Sequence, residues 1–241
     1  MKIDFIQLET VSSTNTWAKE NASKFNPSHL TCITALEQTA GRGRQEKKWI
    51  SPKGSNLYTT LYFTAAENAS YLSNLGQIMA LSCAELLHEM KVPVQIKWPN
   101  DLLIHTKKIG GVLTETVIRN NCVGVVLGLG LNVNMPGAIL RSIDQPATSL
   151  HLVLQKHLEP LSLLQPLLKL FIAHLTELQL RGFAPFQTRF LELLAYRGES
   201  ITVHLPQEDV QGICDSITPD GRLKLRLPSG KFLTFSAGEI L

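Results

Sequence analysis

The residues able to do chemistry in this sequence are concentrated in a few short stretches. GRGRQEKKW (41–49) sets Arg42, Arg44, Lys47 and Lys48 into seven positions between Gly41 and Trp49. KWPND (97–101) joins a cation, an aromatic ring, a proline and a carboxylate, and Lys108 follows seven residues after Asp101, leading into Ile109-Gly110-Gly111. Such charge on short segments can serve as a solvated surface, a grip on nucleic acid, or a clamp over an anionic small molecule. Arginine suits the clamp, because its planar fork binds phosphate and carboxylate in a bidentate way. A dinucleotide fingerprint is excluded, since Glu46 stands where G-x-G-x-x-G needs its third glycine. No G-x-x-x-x-G-K-[ST] occurs either. A β-turn accounts for Pro99 and Asn100 but leaves Lys97, Trp98 and Lys108 without a reason. In GLGLNVN (128–134), Gly128 and Gly130 weaken a strand unless a flat ring or another backbone comes close. Asn132 adds a donor and an acceptor. SSTN (12–15) has the hydroxyls and amide of a helix cap.

The elements that must position these residues can be read from periodicity. Strand patterns occupy residues 3–8, 31–37, 56–64 and 94–98, with a capped helix from Ser12 to about Asn21. Residues 71–90 show helical spacing of Leu72, Leu75, Ile78, Met79, Ser82, Leu86 and Met90, stopped by Pro93. Residues 109–118 and 122–133 read as strands paired across an Arg119-Asn120-Asn121 turn, and helices follow over 160–181 and 184–196. From Gly198 onward the texture changes to four or five short strands parted by turns such as Pro219-Asp220-Gly221, a small β-barrel. The domains are therefore 1–197 and 198–241.

Composition narrows the function classes. A net charge of +3 over 241 residues is too small for a dedicated nucleic-acid binder, and 44% apolar residues is ordinary for a globular protein. No apolar run approaches the ~20 residues of a membrane span, and the N-terminus lacks a signal-peptide core. The four cysteines show no C-x-x-C and read as reduced, mostly buried thiols of a cytoplasmic protein. Seven histidines without H-E-x-x-H give a His- or Cys-built metal site no support.

Taken together, SSTN, EQTAGRGR, Trp49, KWPND, KKIGG, GLGLNVN, PATSL (146–150) and RGES (197–200) resemble the biotin–protein ligases along nearly the whole chain. The resemblance implies an α+β fold, with a mixed sheet backed by helices as in class II synthetases and a C-terminal SH3-like barrel. It implies an enzyme that joins biotin to ATP as biotinyl-5′-adenylate and passes biotin to a lysine of a carboxylase's biotin carboxyl carrier domain. In that reading Ser13, Thr14, Asn15 and Gln38 bind the polar end of biotin, whose apolar part lies along Gly110-Gly111 and Gly128–Gly130. Arg42, Gly43 and Arg44 fold over biotin and the phosphates, Trp49 stacks on adenine, and Asn132 meets the adenine edge. Lys108 bridges the biotin carboxylate and the α-phosphate as an electrostatic catalyst with Arg44, and Asp101 holds Mg²⁺.

Two departures qualify the resemblance. Gln45-Glu46-Lys47 stand where the family often has a basic residue, glycine and another cation, so Glu46 adds negative charge beside the clamp. Eleven residues precede Ser12, leaving no room for the DNA-binding helix-turn-helix of some members, and an enzyme without nucleic-acid or membrane partners is expected, as monomer or homodimer. A lipoate or octanoyl ligase is the nearest rival, and a nucleic-acid-binding module using the basic loop and the barrel is a more distant one.

Overall fold

The computed structural model describes residues 1–119 and 122–241, so Asn120 and Asn121 of the expected turn lie outside the described residues. In chain order the elements begin with β1 (Ile3–Val11), α1 (Thr14–Asn21), β2 (Leu30–Gln38), β3 (Leu57–Ala65), α2 (Leu75–Glu89), β4 (Val94–Lys97) and β5 (Asp101–Ile104). They continue with β6 (Lys107–Arg119), β7 (Cys122–Leu131), α3 (Gly137–Leu140), α4 (Leu150–Leu154), α5 (Leu164–Arg181) and α6 (Gln187–Leu193). The last strands are β8 (Ser200–His204), β9 (Asp209–Ile217), β10 (Leu223–Arg226), β11 (Phe232–Phe235) and β12 (Glu239–Ile240). The chain divides into two compact units, Met1–Ala69 with Thr106–Leu168, and Ser70–His105 with Lys169–Leu241.

In the first unit β1 runs parallel to β2, and β2, β3, β7 and β6 then follow as antiparallel neighbours, a mixed sheet. The expected hairpin of β6 and β7 is present, with Arg119 opposite Cys122 and Gly111 opposite Gly130. Leu57, Tyr58, Leu61 and Tyr62 of β3 are all buried, which is why that strand carries apolar residues without alternation. Helix α1 lays Ala18, and the turn after it Ala22, on Ile33, Tyr62 and Val126, and Phe25 closes the cluster 4.9 Å from the Tyr62 ring. Small residues on α1 allow this close seating, so the first turn of the helix is set firmly against the sheet.

In the second unit α2 is apolar nearly all round and buries Leu75, Ile78, Met79, Leu81 and Leu87. It ends before Pro93 is reached, because Lys91 turns into the left-handed region (φ 63°). Its buried Ser82 Oγ lies 2.8 Å from His174 Nδ1 of α5, and Arg189 of α6 donates to Glu85, so polar contacts tie three helices together. Pro160–Arg181 is long and apolar enough, by length and composition, to cross a membrane. Here it is a core helix, with Phe171, Leu175 and Leu178 buried. Strands β4 and β5 form a hairpin that the sequence reading lacked, since it had only one strand there. The C-terminal strands form an antiparallel sheet in the order β11-β10-β9-β8-β12 among the described residues.

Candidate active site

The first unit brings most of the singled-out residues to one region. Ser13 caps α1, its Oγ accepting from Thr16 N, and places Thr14 and Asn15 in the first turn, both about 4% exposed. Gln38, at the end of β2, accepts at Oε1 from Thr14 N (2.9 Å) and Thr14 Oγ1 (3.1 Å), and its Nε2 donates to Ser51 Oγ (2.9 Å). Thr60 Oγ1 donates to Asn15 Oδ1 at 2.7 Å and meets Thr14 Oγ1 at 2.8 Å. Thr14, Asn15 and Gln38 are thus joined, through Thr60, into one largely buried polar corner, with Ser13 capping the helix beside it. Satisfied networks of this kind fix side-chain orientation, as recognition of a polar group requires.

Asn15 Nδ2 donates to Leu113 O and to Glu115 Oε2 (2.9 Å). Glu115 is the residue sequence reasoning missed. Its carboxylate also accepts from Lys19 Nζ (2.7 Å) and, through both oxygens, from the Arg42 guanidinium (3.1 and 3.0 Å). Burial alone would raise its pKa, but the hydrogen bonds from Lys19 and Asn15 and the charges of Arg42 and Lys19 together hold it below the usual range. Only its place on β6, two residues beyond Leu113, hinted at it, and a lone strand glutamate carries no motif.

The basic stretch is a narrow hairpin. Trp49 N donates to Gly41 O and Gly43 N to Lys47 O, while Arg42 bridges Lys48. A tight turn over Arg44–Glu46, with Gln45 at φ 51°, closes its tip. Gly41 is required by contact: a Cβ there would lie 2.8 Å from Ser51 Oγ and closer still to Trp49 O. The second strand of the hairpin presents Lys47, Lys48 and Trp49 to a cleft of about 500 Å³, which Lys108, Asn132 and the segment Ser142–Gln145 also line. Lys108 Nζ sits 5.6 Å from the centre of the Trp49 ring.

A side chain at Gly128 or Gly130 would run into the protein's own Asn15 or Trp49. A Cβ on Gly128 would fall 2.9 Å from Asn15 Cγ, and one on Gly130 2.8 Å from Trp49 Cζ2. Because residues two apart on a strand share a face, the polar corner and the Trp49 cleft stand side by side over β7. Opposite Leu131 and Gly130 in register lie Gly110 and Gly111 of β6. Asn132 is 3% exposed, and its Nδ2 donates to Thr148 O (3.1 Å), so its amide ties PATSL to the sheet at the cleft floor. Lys108 is anchored likewise, its N donating to Pro146 O and its O accepting from Thr148 N.

KWPND belongs to the second unit. Trp98, for which the turn gave no reason, is 1% exposed and donates from Nε1 to Gly221 O (3.0 Å), a structural role its sequence neighbours did not reveal. Asp101 opens β5 opposite Lys97. Among the described residues no group of three His, Cys, Asp or Glu gathers as a metal cage. Asp101 offers a single carboxylate, the kind of oxygen donor a Mg²⁺ takes beside phosphate oxygens.

A mixed sheet backed by helices, a lysine-lined cleft of about 500 Å³ beside a polar corner, and a C-terminal antiparallel sheet define the class. Residues 8–132 match the biotin/lipoate A/B protein ligase family, and the chain belongs to that family. Residues 197–241 match the biotin protein ligase C-terminal domain, which marks the biotin protein ligases within it. The chain is 31% identical over 206 residues to biotin–[acetyl-CoA-carboxylase] ligase of Paracoccus denitrificans, covering 83% of this chain and 85% of that protein. It is 27% identical over 239 residues to the bifunctional ligase/repressor BirA of Escherichia coli, covering 97% of this chain and 72% of that one. The Aquifex aeolicus biotin protein ligase, solved in complex with biotin and ATP, is 28% identical, with a TM-score of 0.84 over 99% of this chain and 97% of that one.

Proposed function

We propose that this chain makes biotinyl-5′-adenylate from biotin and ATP, releasing pyrophosphate, and transfers biotin to a lysine in the carrier domain of a biotin-dependent carboxylase. The observation that carries the reading is the meeting of Lys47, Lys48, Trp49, Lys108 and Asn132 in one cleft, two strand positions from the Thr14–Asn15–Gln38 corner. The obstacle to the first step is charge: a carboxylate must reach an α-phosphate. Two unit charges about 4 Å apart repel by ~4 kcal/mol at an effective dielectric of about 20. Lys108 offsets this by bridging the two anions, and it stabilises charge on the phosphoryl oxygens as pyrophosphate leaves. Arg44 and the Gly43 backbone close over the phosphates, Trp49 offers its ring to adenine, and Ser13, Thr14, Asn15 and Gln38 orient biotin. Asp101 would be the residue to hold a Mg²⁺, whose charge would offset part of the negative charge of a nucleotide's phosphates. In the second step the carrier lysine's amine attacks the acyl carbon and AMP departs, with Lys108 again countering the leaving phosphate.

The test is a mass shift. Purified protein is mixed with biotin, MgATP and a carrier domain, and the carrier lysine should gain one biotin. A carrier that gains lipoate in its place, or nothing, overturns the reading.

A further inference from the structure

We propose that Arg42 is a positioning residue that works through Glu115, and that the anion-gripping cations of the loop are the others. The inference rests on the ligase reading for what the hairpin grips, and on geometry alone for what holds the hairpin. Arg42 spends its terminal NH2 on both oxygens of Glu115. The same carboxylate takes Asn15 Nδ2, a member of the polar corner, and Lys19 of α1. Across the hairpin Arg42 bridges Lys48, and the next cross-strand bond joins Trp49 N to Gly41 O. Holding Arg42 therefore holds the strand that brings Lys47, Lys48 and Trp49 to the cleft. Four cations in seven positions repel one another, and a fixed carboxylate under the base of the loop offsets that repulsion where the hairpin leaves the sheet. One carboxylate thus serves both halves of the site: it orients Asn15 for one ligand and seats the basic hairpin for the other.

A double-mutant cycle separates this role from direct contact. Arg42→Gln, Glu115→Gln and the double variant are compared for the KM of ATP and kcat in adenylate formation. Gln at 115 keeps an acceptor for Asn15 and leaves Lys19 and Arg42 to solvent, which reaches both side chains, while in Arg42→Gln the Glu115 charge keeps Lys19. Each single change should raise KM about fivefold, the top of the range for a partly exposed ion pair, with kcat within about twofold. The double should show the same fivefold rise. A double near 25-fold, the product of two independent losses, would mean that Arg42 touches substrate itself and would overturn the proposal. Hydrogen exchange of the ligand-free protein gives a readout independent of any activity. The amides of Gly43, Lys47 and Trp49 should exchange faster in all three variants, and unchanged exchange would sink the tether. Wild-type protein that makes no biotinyl-adenylate defeats the ligase reading and leaves the exchange result to judge the tether.

Discussion

Lys108 enters the site with its backbone fixed on both sides, at Pro146 O and Thr148 N. Changing it to Ala therefore removes an ammonium without loosening β6. Adenylate formation, followed by pyrophosphate exchange, should fall at least about 100-fold, the scale of losing one electrostatic stabiliser. The melting temperature should stay close to that of wild type, as for substitutions that remove little packing. Glu115 and Glu85 make a second prediction at this scale. Both carboxyls sit below their usual pKa: burial pushes each up, but partners outweigh it, His174 and Arg189 for Glu85, and Lys19, Asn15 and Arg42 for Glu115. A depressed carboxylate contributes stability that is present above its unfolded pKa and lost as pH falls through the folded one. Urea midpoints should hold on the neutral side of about pH 4.3, the ordinary Glu value, and decline below it. Glu115→Gln should flatten that decline, and an unchanged slope would remove Glu115 from the account.

At the scale of elements, glycines decide how closely side chains can approach strands and turns. In β7 a methyl at position 128 would collide with the Asn15 amide, whose bonds to Thr60 and Glu115 define the polar corner. Gly128→Ala should therefore weaken biotin binding at least about tenfold, since a displaced amide forfeits one or more hydrogen bonds. Titration calorimetry measures it, and wild-type affinity would mean that Asn15 is not a recognition group. In the second unit Gly221 has φ 85° and its carbonyl accepts from Trp98 Nε1 and Gln77 Nε2. A Cβ there would also lie 2.6 Å from Gln77 Oε1. Gly221→Ala combines a left-handed penalty with a steric one, for a loss of about 2–3 kcal/mol in urea unfolding. This bond joins the turn between β9 and β10 to the tryptophan of KWPND, so an element far along the chain fixes a motif that is continuous in sequence.

For the molecule as a whole, burial controls thiol chemistry. The pKa of Cys83 is pushed by burial up to about 12, and Cys32 and Cys214 are pushed to about 11. Cys122 is only partly buried, and the four are free thiols. Since the thiolate is the reactive form, iodoacetamide at mild alkaline pH should modify Cys122 alone in the native protein. All four should react in denaturant. Mass spectrometry that finds Cys83 labelled in the native state would contradict the packing of α2.

Local pattern alone determined most element positions, because amphipathic period, capping residues and turn chemistry act over a few neighbours. The Ser13 cap, the long α2 and the strand-rich C-terminal segment are of this kind. The motif residues were also legible, since unusual charge and glycine placement stand out against an ordinary composition. What only the tertiary structure decided were contacts between residues far apart in sequence. Glu115 gathers Asn15, Lys19 and Arg42 across 73 to 100 residues. Trp98, which the turn left without a reason, finds its acceptor at Gly221, 123 residues on. The close approaches at Gly128 and Gly130 come from Asn15 and Trp49. Local propensity carries no record of such partners: a buried carboxylate or indole is satisfied by whichever group the folded sheet brings to it, and that is settled by topology and register.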